Sequence, residues 1–357
     1  MRIGIDARKI NDTGIGRYIS NLVDNLIKIG GQHHYVLFMQ SNDVNSFDFP
    51  KDTVTKVVER SGKYSIAEHW SLSYNATSMY LDLFHSPHYV LPLFLKIPSV
   101  VTVHDLIHIT EPGYGTLTRN YARFMVKSAV KRARRVISVS GKTRDDLTDI
   151  LGAPAEKIKV IYNGGGADFS RTPDDMLDSI LARLGLKRGY VLFAGSDRPH
   201  KNLRAVLKTM EILPETRFAI AGRVLEENRR AFSKFGERVS FIEIVPRDEM
   251  EALYSGAMAL LFPSYAEGFG LPPLEAMACK TPVVASSRAP MPEVVGDAAL
   301  LVDPDDHAGM AKALRMIASD TAYANSLVAK GTERLKMFSW EKMARETLAV
   351  YEEAVRR

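Results

Sequence analysis

Residues 258–286 read MALLFPSYAEGFGLPPLEAMACKTPVVAS, and this stretch holds one complete unit of fold. MALLFP (258–263) is an apolar run of strand length, and PVVAS (282–286) is another. Between them Pro272 and Pro273 mark a helix start, because proline tolerates a first turn where no intrahelical N–H bond is expected. Strand, helix and strand in succession predict a right-handed crossover between parallel neighbours.

The same alternation runs through the chain. RIGID (2–6) precedes a helix from about Arg17 to Ile29, and YVLFM (35–39), TKVVE (55–59), DLFHS (82–86), VVTVHD (100–105), VISVS (136–140) and KVIYN (159–163) follow as strands. The second half repeats the pattern with YVLFAG (190–195), RFAIAG (217–222), VSFIEI (239–244) and ALLV (299–302), then helices over 307–337 and an amphipathic helix EKMARETLAVYEEAVRR. These strands are too many for one doubly wound sheet. The fold class is therefore α/β, with two Rossmann-like domains whose parallel sheets face each other across a cleft. The expected domains are 1–165 and 189–339. Glycines, a proline and an acid pair in NGGGADFSRTPDD (163–175) suggest a hinge over 166–188.

Bulk properties narrow the field. A chain of 357 residues with 46% hydrophobic and 25% charged content is an ordinary two-domain globular protein. A single cysteine, Cys279, excludes an intrachain disulfide framework and fits a reducing compartment. Asp6, Arg8, Lys9, Asp12 and Arg17 interrupt any signal-peptide core, and no run approaches membrane-spanning length, so a cytoplasmic protein is expected. From Pro112 to Arg144 there is no acidic residue, while Arg119, Arg123, Lys127 and Lys131 recur at i, i+4. Such a stripe is either a solvated helix face or a surface for anionic lipid head groups or an acidic acceptor. Without interleaved aromatic residues, nucleic acid is not expected as a partner.

Open parallel sheets bind ligands beyond the carboxyl ends of their strands, so the chemistry should lie in the strand-end loops. Gly14 and Gly16 lead from the first strand into a helix whose free N–H groups could meet an anion, although G-x-G alone also fits a tight turn. His104–Asp105 ends a strand and can hydrogen-bond a sugar or another polar substrate; His85 and His88 read better as structural. In SDRPHKN (196–202), Arg198 and Lys201 stand beside a helix start and suit a diphosphate. In the opening stretch, Gly268 and Gly270 permit close backbone approach, so the N–H groups of Gly268, Phe269, Gly270 and Leu271 can serve hydroxyl or phosphate oxygens. Glu275, read as lying in the first helical turn, could accept two vicinal ribose hydroxyls, and Glu267 could grip a sugar hydroxyl. DPDD (303–306) mimics a metal-binding D-x-D but reads as a turn and helix cap, and no zinc spacing occurs. No metal or other cofactor is expected.

With these residues in place, the chain resembles the GT-B retaining glycosyltransferases of family 4. The resemblance runs through GIDARKINDTGIGRYI, VTVHDLIH, VISVSGKTRDDL, KIKVIYNG, LFAGSDRPHKN, PSYAEGFGLPPLEAMACKTPVVAS, PEVVGDAALLVDPDD and FSWEKMA. It implies an N-terminal acceptor domain, a C-terminal domain for a nucleoside-diphosphate sugar, and a last helix (340–357) crossing back to the first domain. By match, Glu275 would bind the ribose, Glu267 the sugar and Lys201 the diphosphate. His104 would lie beside the sugar, and Gly14 and Gly16 would approach the donor. Transfer would retain the anomeric configuration by front-face attack without a metal. The motif combination looks most like bacterial mannosyltransferases, which makes GDP-mannose the expected donor with a UDP-sugar open, and a glycan or lipid-linked saccharide the acceptor. A nucleotide-sugar epimerase and a catalytically silent sugar-nucleotide binder use the same scaffold. An NAD dehydrogenase is disfavoured by the incomplete glycine fingerprint. The chain departs from the common pattern at Ser196, where arginine is usual, in its glycine-rich NGGGADF, and at Lys280, where glycine is frequent.

Overall fold

The computed structural model describes residues 1–166, 168–243 and 245–356. Ala167 in the expected hinge, Ile244 at the end of an expected strand and Arg357 at the end of the last expected helix lie outside the described residues. The elements run β1 (Arg2–Asp6), α1 (Thr13–Ile29), β2 (His34–Met39), β3 (Val54–Val58), α2 (Ile66–Ser78), β4 (Leu83–Ser86), β5 (Ser99–Val103), α3 (Ile107–Thr110), α4 (Thr116–Arg132), β6 (Arg135–Ser138), α5 (Gly141–Leu151) and β7 (Ile158–Val160). There follow α6 (Asp174–Arg183), β8 (Tyr190–Ala194), α7 (Leu203–Ile212), β9 (Phe218–Ala221), α8 (Glu226–Phe232), β10 (Val239–Ile242), α9 (Arg247–Gly256), β11 (Ala257–Phe262) and α10 (Leu271–Ala278). The chain ends with β12 (Val283–Ser286), α11 (Met291–Val295), β13 (Leu300–Val302), α12 (His307–Ser319), α13 (Thr321–Leu335) and α14 (Trp340–Arg356). Two compact units result: residues 1–110 and 114–164 with the segment from 340 onward, and residues 111–113 with 165–339.

The first unit is built on a seven-stranded sheet of order β3-β2-β1-β4-β5-β6-β7, parallel throughout. Phe84, Val101 and Val103 pack with Leu72 and Ala76 of α2, Ala122 and Val126 of α4 and Leu147 of α5. Their sequence neighbours His85 and Thr102 must point to the other face, because strand side chains alternate. There Tyr351 of α14 shares a 2.6 Å hydrogen bond with His85 Nδ1, His85 Nε2 meets Thr102 Oγ1 at 2.8 Å, and Tyr18 of α1 closes on the same hydroxyl at 3.1 Å. A buried polar chain thus fastens α1 and α14 to one face. Burial pushes the His85 imidazole down to about 3, so the ring is neutral at pH 7.

The second unit holds a six-stranded parallel sheet of order β10-β9-β8-β11-β12-β13. Val191, Phe193, Ile220 and Leu261 bury against Val206 and Met210 of α7 and Leu314 and Ile317 of α12. On the opposite side α6 packs on α9, and Tyr190 donates to the Leu253 carbonyl at 2.7 Å.

Several boundaries differ from the sequence reading. Helix α1 starts at Thr13, not Arg17, so Gly14 and Gly16 lie inside its first turns. Residues 166–188, read as a hinge, include α6, whose Leu177, Ile180 and Leu181 are buried. The glycines before it serve close packing rather than looseness: a Cβ on Gly164 would stand 2.4 Å from Trp340, and one on Gly165 would stand 2.2 Å from Leu274. Residues 307–337 form helices as read, divided at Asp320, whose carboxylate caps α13 by accepting from Tyr323 N at 2.9 Å.

Candidate functional site

In the second sheet the strand order reverses between β8 and its neighbour β11, and such a switch point opens a crevice at the carboxyl ends. Lys201 comes from the loop after β8 and Glu267 from the loop after β11. The structure joins these two residues: Lys201 Nζ donates to both Glu267 carboxylate oxygens, at 2.7 and 2.9 Å. The side chains keep 18% and 10% of their surface exposed, so the pair is partly desolvated yet reachable. The ammonium also stands 5.4 Å from the Phe262 ring centroid. The sequence reading gave these residues separate tasks on diphosphate and sugar. The geometry adds that each neutralises the other, so an incoming anion competes with Glu267 for Lys201.

Asn202, absent from the sequence reading, holds this loop. Its backbone is left-handed (φ 57°), and its side chain accepts from Ala205 N at 3.2 Å to cap α7. The same side chain donates to the Pro263 carbonyl at 3.2 Å and the Pro304 carbonyl at 2.9 Å. One buried amide thereby fastens the loops after β8, β11 and β13. An asparagine just before the apolar LRAVL run was the available signal, as a helix cap. Arg198 is exposed, and its side chain makes no hydrogen bond or ion pair to Lys201 or Glu267.

Glu275 is the fifth residue of α10, not part of its first turn as expected, so the helix-dipole argument does not apply to it. Burial to 7% exposure and a 2.7 Å hydrogen bond from the Tyr254 hydroxyl hold its carboxylate instead. Tyr254 sits on α9, which sequence spacing could not link to α10. Gly270 caps α10 with φ 98°, a left-handed conformation in which any side chain would be strained. Gly268 and Phe269 are buried, and the Phe269 ring lies edge-on to Phe338 at 5.6 Å. Phe269 therefore anchors the loop by its side chain, while Leu271 opens the helix half-buried. Lys280 also has a left-handed φ of 63°, which explains physically why glycine suits that position.

In the first unit, a Cβ on Gly16 would fall 2.3 Å from the Ile10 carbonyl oxygen, so packing alone requires this glycine. Gly14 is exposed with nothing within 4 Å of its would-be Cβ, so no such packing demands it. His104 follows β5 directly. Its Nε2–H donates to the Pro87 carbonyl at 2.9 Å, its ring meets Tyr18 edge-on at 4.9 Å, and burial keeps it below the ordinary imidazole range. The ring is therefore neutral with its acceptor lone pair on Nδ1. His88 belongs to a buried charge cluster: Arg8 bonds Asp6 at 2.8 Å and Glu68 at 2.9 Å, and His88 Nε2 reaches Asp6 at 3.1 Å. Burial would raise the Asp6 carboxyl, but the Arg8 charge and the hydrogen bonds from Arg8 and His88 hold it far below the carboxylate range.

DPDD forms a turn: Asp305 N donates to Asp303 Oδ1 at 2.9 Å, and Asp306 caps α12 by accepting from Gly309 N at 2.8 Å. Among the described residues no helix is long and apolar enough to cross a membrane. On α4, Arg123, Lys127 and Lys131 are exposed and Arg119 is half-buried. Leu117, Tyr121 and Phe124 are exposed on that helix too, which corrects the reading of a stripe without aromatic residues.

Comparison with known proteins agrees with this architecture. Residues 13–165 match the Glycosyltransferase Family 4 description, and residues 182–334 match glycosyl transferases group 1. O-antigen chain mannosyltransferase B of Escherichia coli is 32% identical over 285 residues, covering 75% of this chain and 74% of that protein. Among solved structures, sucrose-phosphate synthase from Thermosynechococcus elongatus superposes with a TM-score of 0.81 at 22% identity, over 99% of this chain and 98% of that one. Anabaena HepE in complex with UDP and glucose gives 0.79 at 17% identity, over 99% and 100%. Two parallel α/β units matched end to end by such structures, and a relative of this identity and coverage, make the chain a member of the GT-B glycosyltransferases of family 4.

Proposed function

We propose that the protein transfers a hexose, mannose from GDP-mannose, to a glycan or lipid-linked acceptor with retention and without a metal. The Lys201–Glu267 pair at the β8/β11 switch point carries this reading. The name of the E. coli relative favours mannose; the nucleotide in the HepE complex keeps a UDP-sugar as the competing donor.

In this mechanism the diphosphate takes Lys201, with exposed Arg198 as a second cation, and the backbone N–H groups of residues 268–271 serve sugar and phosphate oxygens. Glu267, released from the ammonium, accepts from a sugar hydroxyl. Glu275, oriented by Tyr254, accepts from the ribose. Neutral His104 offers Nδ1 to a substrate hydroxyl, and exposed Gly14 leaves its backbone open to approach. The bond from the anomeric carbon to phosphate oxygen breaks as the acceptor oxygen bonds to the same face. The departing phosphate oxygen takes the acceptor's proton, so atoms and charge balance without a protein nucleophile.

The exposed cations of α4, with Leu117 and Phe124 beside them, support peripheral contact with an anionic membrane at its cytoplasmic face. Reversing Arg123, Lys127 and Lys131 should weaken sedimentation with anionic vesicles; unchanged sedimentation returns α4 to a solvated face. For the main reading, GDP- and UDP-sugars are incubated with and without an oligosaccharide acceptor. Acceptor-dependent nucleotide release from GDP-mannose is expected. Isomerisation without acceptor would mean an epimerase, and binding without turnover a silent protein.

A further inference from the structure

A cavity of about 510 Å³ opens at the amino-terminal end of the first unit's sheet. It is lined by Arg132 at the end of α4, Arg134 and Arg135 at the entry to β6, Glu156 and Lys157 just before β7, and Glu353 of α14. Three chain segments far apart in sequence thus meet at one concave surface. That surface lies at the opposite end of the strands from His104, which follows β5 at its carboxyl end. The volume falls within the roughly 300–1,000 Å³ of small-molecule pockets.

Its cations are held in place rather than left to trail in water. Arg132 Nη2 donates to the Pro92 carbonyl at 2.6 Å, Arg134 Nη1 to the Ala354 carbonyl at 2.7 Å, and Lys157 Nζ to the Val130 and Lys131 carbonyls, both at 3.0 Å. Lysine and arginine commonly complement the negative end of a helix dipole. Here the last turns of α4 and α14 draw Lys157 and Arg134 to the same cavity. Of the four cations only Arg135 meets a carboxylate, that of Glu353. The other three bond carbonyls, which carry no formal charge. Among the described residues, Arg134 Nε and Nη2 and Arg135 Nε have no hydrogen-bond partner and keep donors to offer.

The charges then select the ligand. Four cations face two carboxylates, a net charge of +2. Glu156 is exposed, and among the described residues its carboxylate makes no ion pair. Burial and the neighbouring Arg135 charge push the Lys157 ammonium below its ordinary range, the mark of positive charge in excess. A phosphate monoester carries close to two negative charges at pH 7 and three strong acceptor oxygens, which matches both the surplus and the free donors. The lining holds no aromatic ring on which a nucleobase could stack. We infer that this cavity binds a phosphate monoester through Arg134, Arg135 and Lys157, at a site separate from the Lys201–Glu267 crevice. It stands whether or not the transferase reading does.

The test is calorimetric titration of the full chain with glycerol 3-phosphate, with glycerol as the uncharged control. Arg134→Gln and Lys157→Gln each keep an amide donor for the helix carbonyls while removing one charge, so the fold is retained. Each should weaken glycerol 3-phosphate binding about fivefold or more. Glu156→Gln removes a carboxylate that no fold contact uses and should tighten binding about threefold, a change that purely structural cations would not produce. Lys201→Met should leave the affinity unchanged. Vesicles of phosphatidic acid present the same ester as a lipid head group, and their sedimentation is compared between wild type and Arg134→Gln. Sedimentation lost in that variant would make the ligand a head group; binding of glycerol 3-phosphate alone would make it a free solute, and either supports the site. Affinity for both probes unchanged in all three cavity variants would overturn the inference, as would loss of glycerol 3-phosphate binding in Lys201→Met, which would place the ester in the crevice instead.

Discussion

Removing one half of the Lys201–Glu267 pair should move stability and nucleotide affinity in ways that no simple surface ion pair would. Two hydrogen bonds of 2.7 and 2.9 Å join side chains that are 18% and 10% exposed, well short of a solvated surface pair. Charge-assisted hydrogen bonds contribute about 1.5–3 kcal/mol and surface pairs under about 1, so partial exposure places this pair near 2 kcal/mol, as an order of magnitude. Lys201→Met and Glu267→Gln should each cost about 2 kcal/mol in the local opening free energy of residues 190–286. The double variant should cost about 1.5 kcal/mol less than the sum. Native-state hydrogen exchange read peptide by peptide measures both. The nucleotide separates the variants in sign. Lys201→Met should weaken GDP binding about tenfold or more, since 1.4 kcal/mol is a factor of ten. Glu267→Gln removes the internal competitor and should tighten GDP binding about fivefold while abolishing sugar transfer. Equal loss of GDP affinity in both variants, or a coupling energy below about 0.5 kcal/mol, would refute the reasoning.

Other consequences can be checked separately. Tyr254→Phe should leave the fold intact but weaken GDP-mannose binding about fivefold, because Glu275 loses its orienting donor; calorimetric titration reads it. Lys280→Gly should stabilise the second unit by about 0.5–1 kcal/mol by removing a left-handed lysine, measured as a shift in urea midpoint by circular dichroism. The His85 imidazole is held near 3 in the fold and near 6.5 when unfolded, so the unfolded chain binds the extra proton between these values. Its stabilisation is complete above pH 6.5 and is lost at about 1.4 kcal/mol per unit as pH falls toward 3. His85→Gln should flatten that slope, followed by fluorescence of Trp70 and Trp340, which both report the first unit.

The parallel sheets were legible because buried β-branched runs and helical periodicity are local properties; MALLFP and PVVAS emerged as β11 and β12 almost as read. Boundaries moved where a polar or glycine-rich turn is tolerated inside a helix, as at Gly14 and Gly16. The glycine run at 164–166 looked like a hinge, since sequence cannot distinguish a glycine kept for mobility from one kept for the bulk of Trp340 or Leu274. Lys201, Glu267 and Glu275 stood out by spacing and motif. Asn202 and Tyr254 did not, because their value lies in partners 21 to 102 positions away.

The most direct test of the central claim is a proton NMR time course of GDP-α-mannose with mannotriose and the wild-type protein. One GDP should be released for each new α-mannosidic bond, and none without acceptor. A β-linked product, or GDP released at the same rate when mannotriose is left out, would contradict it.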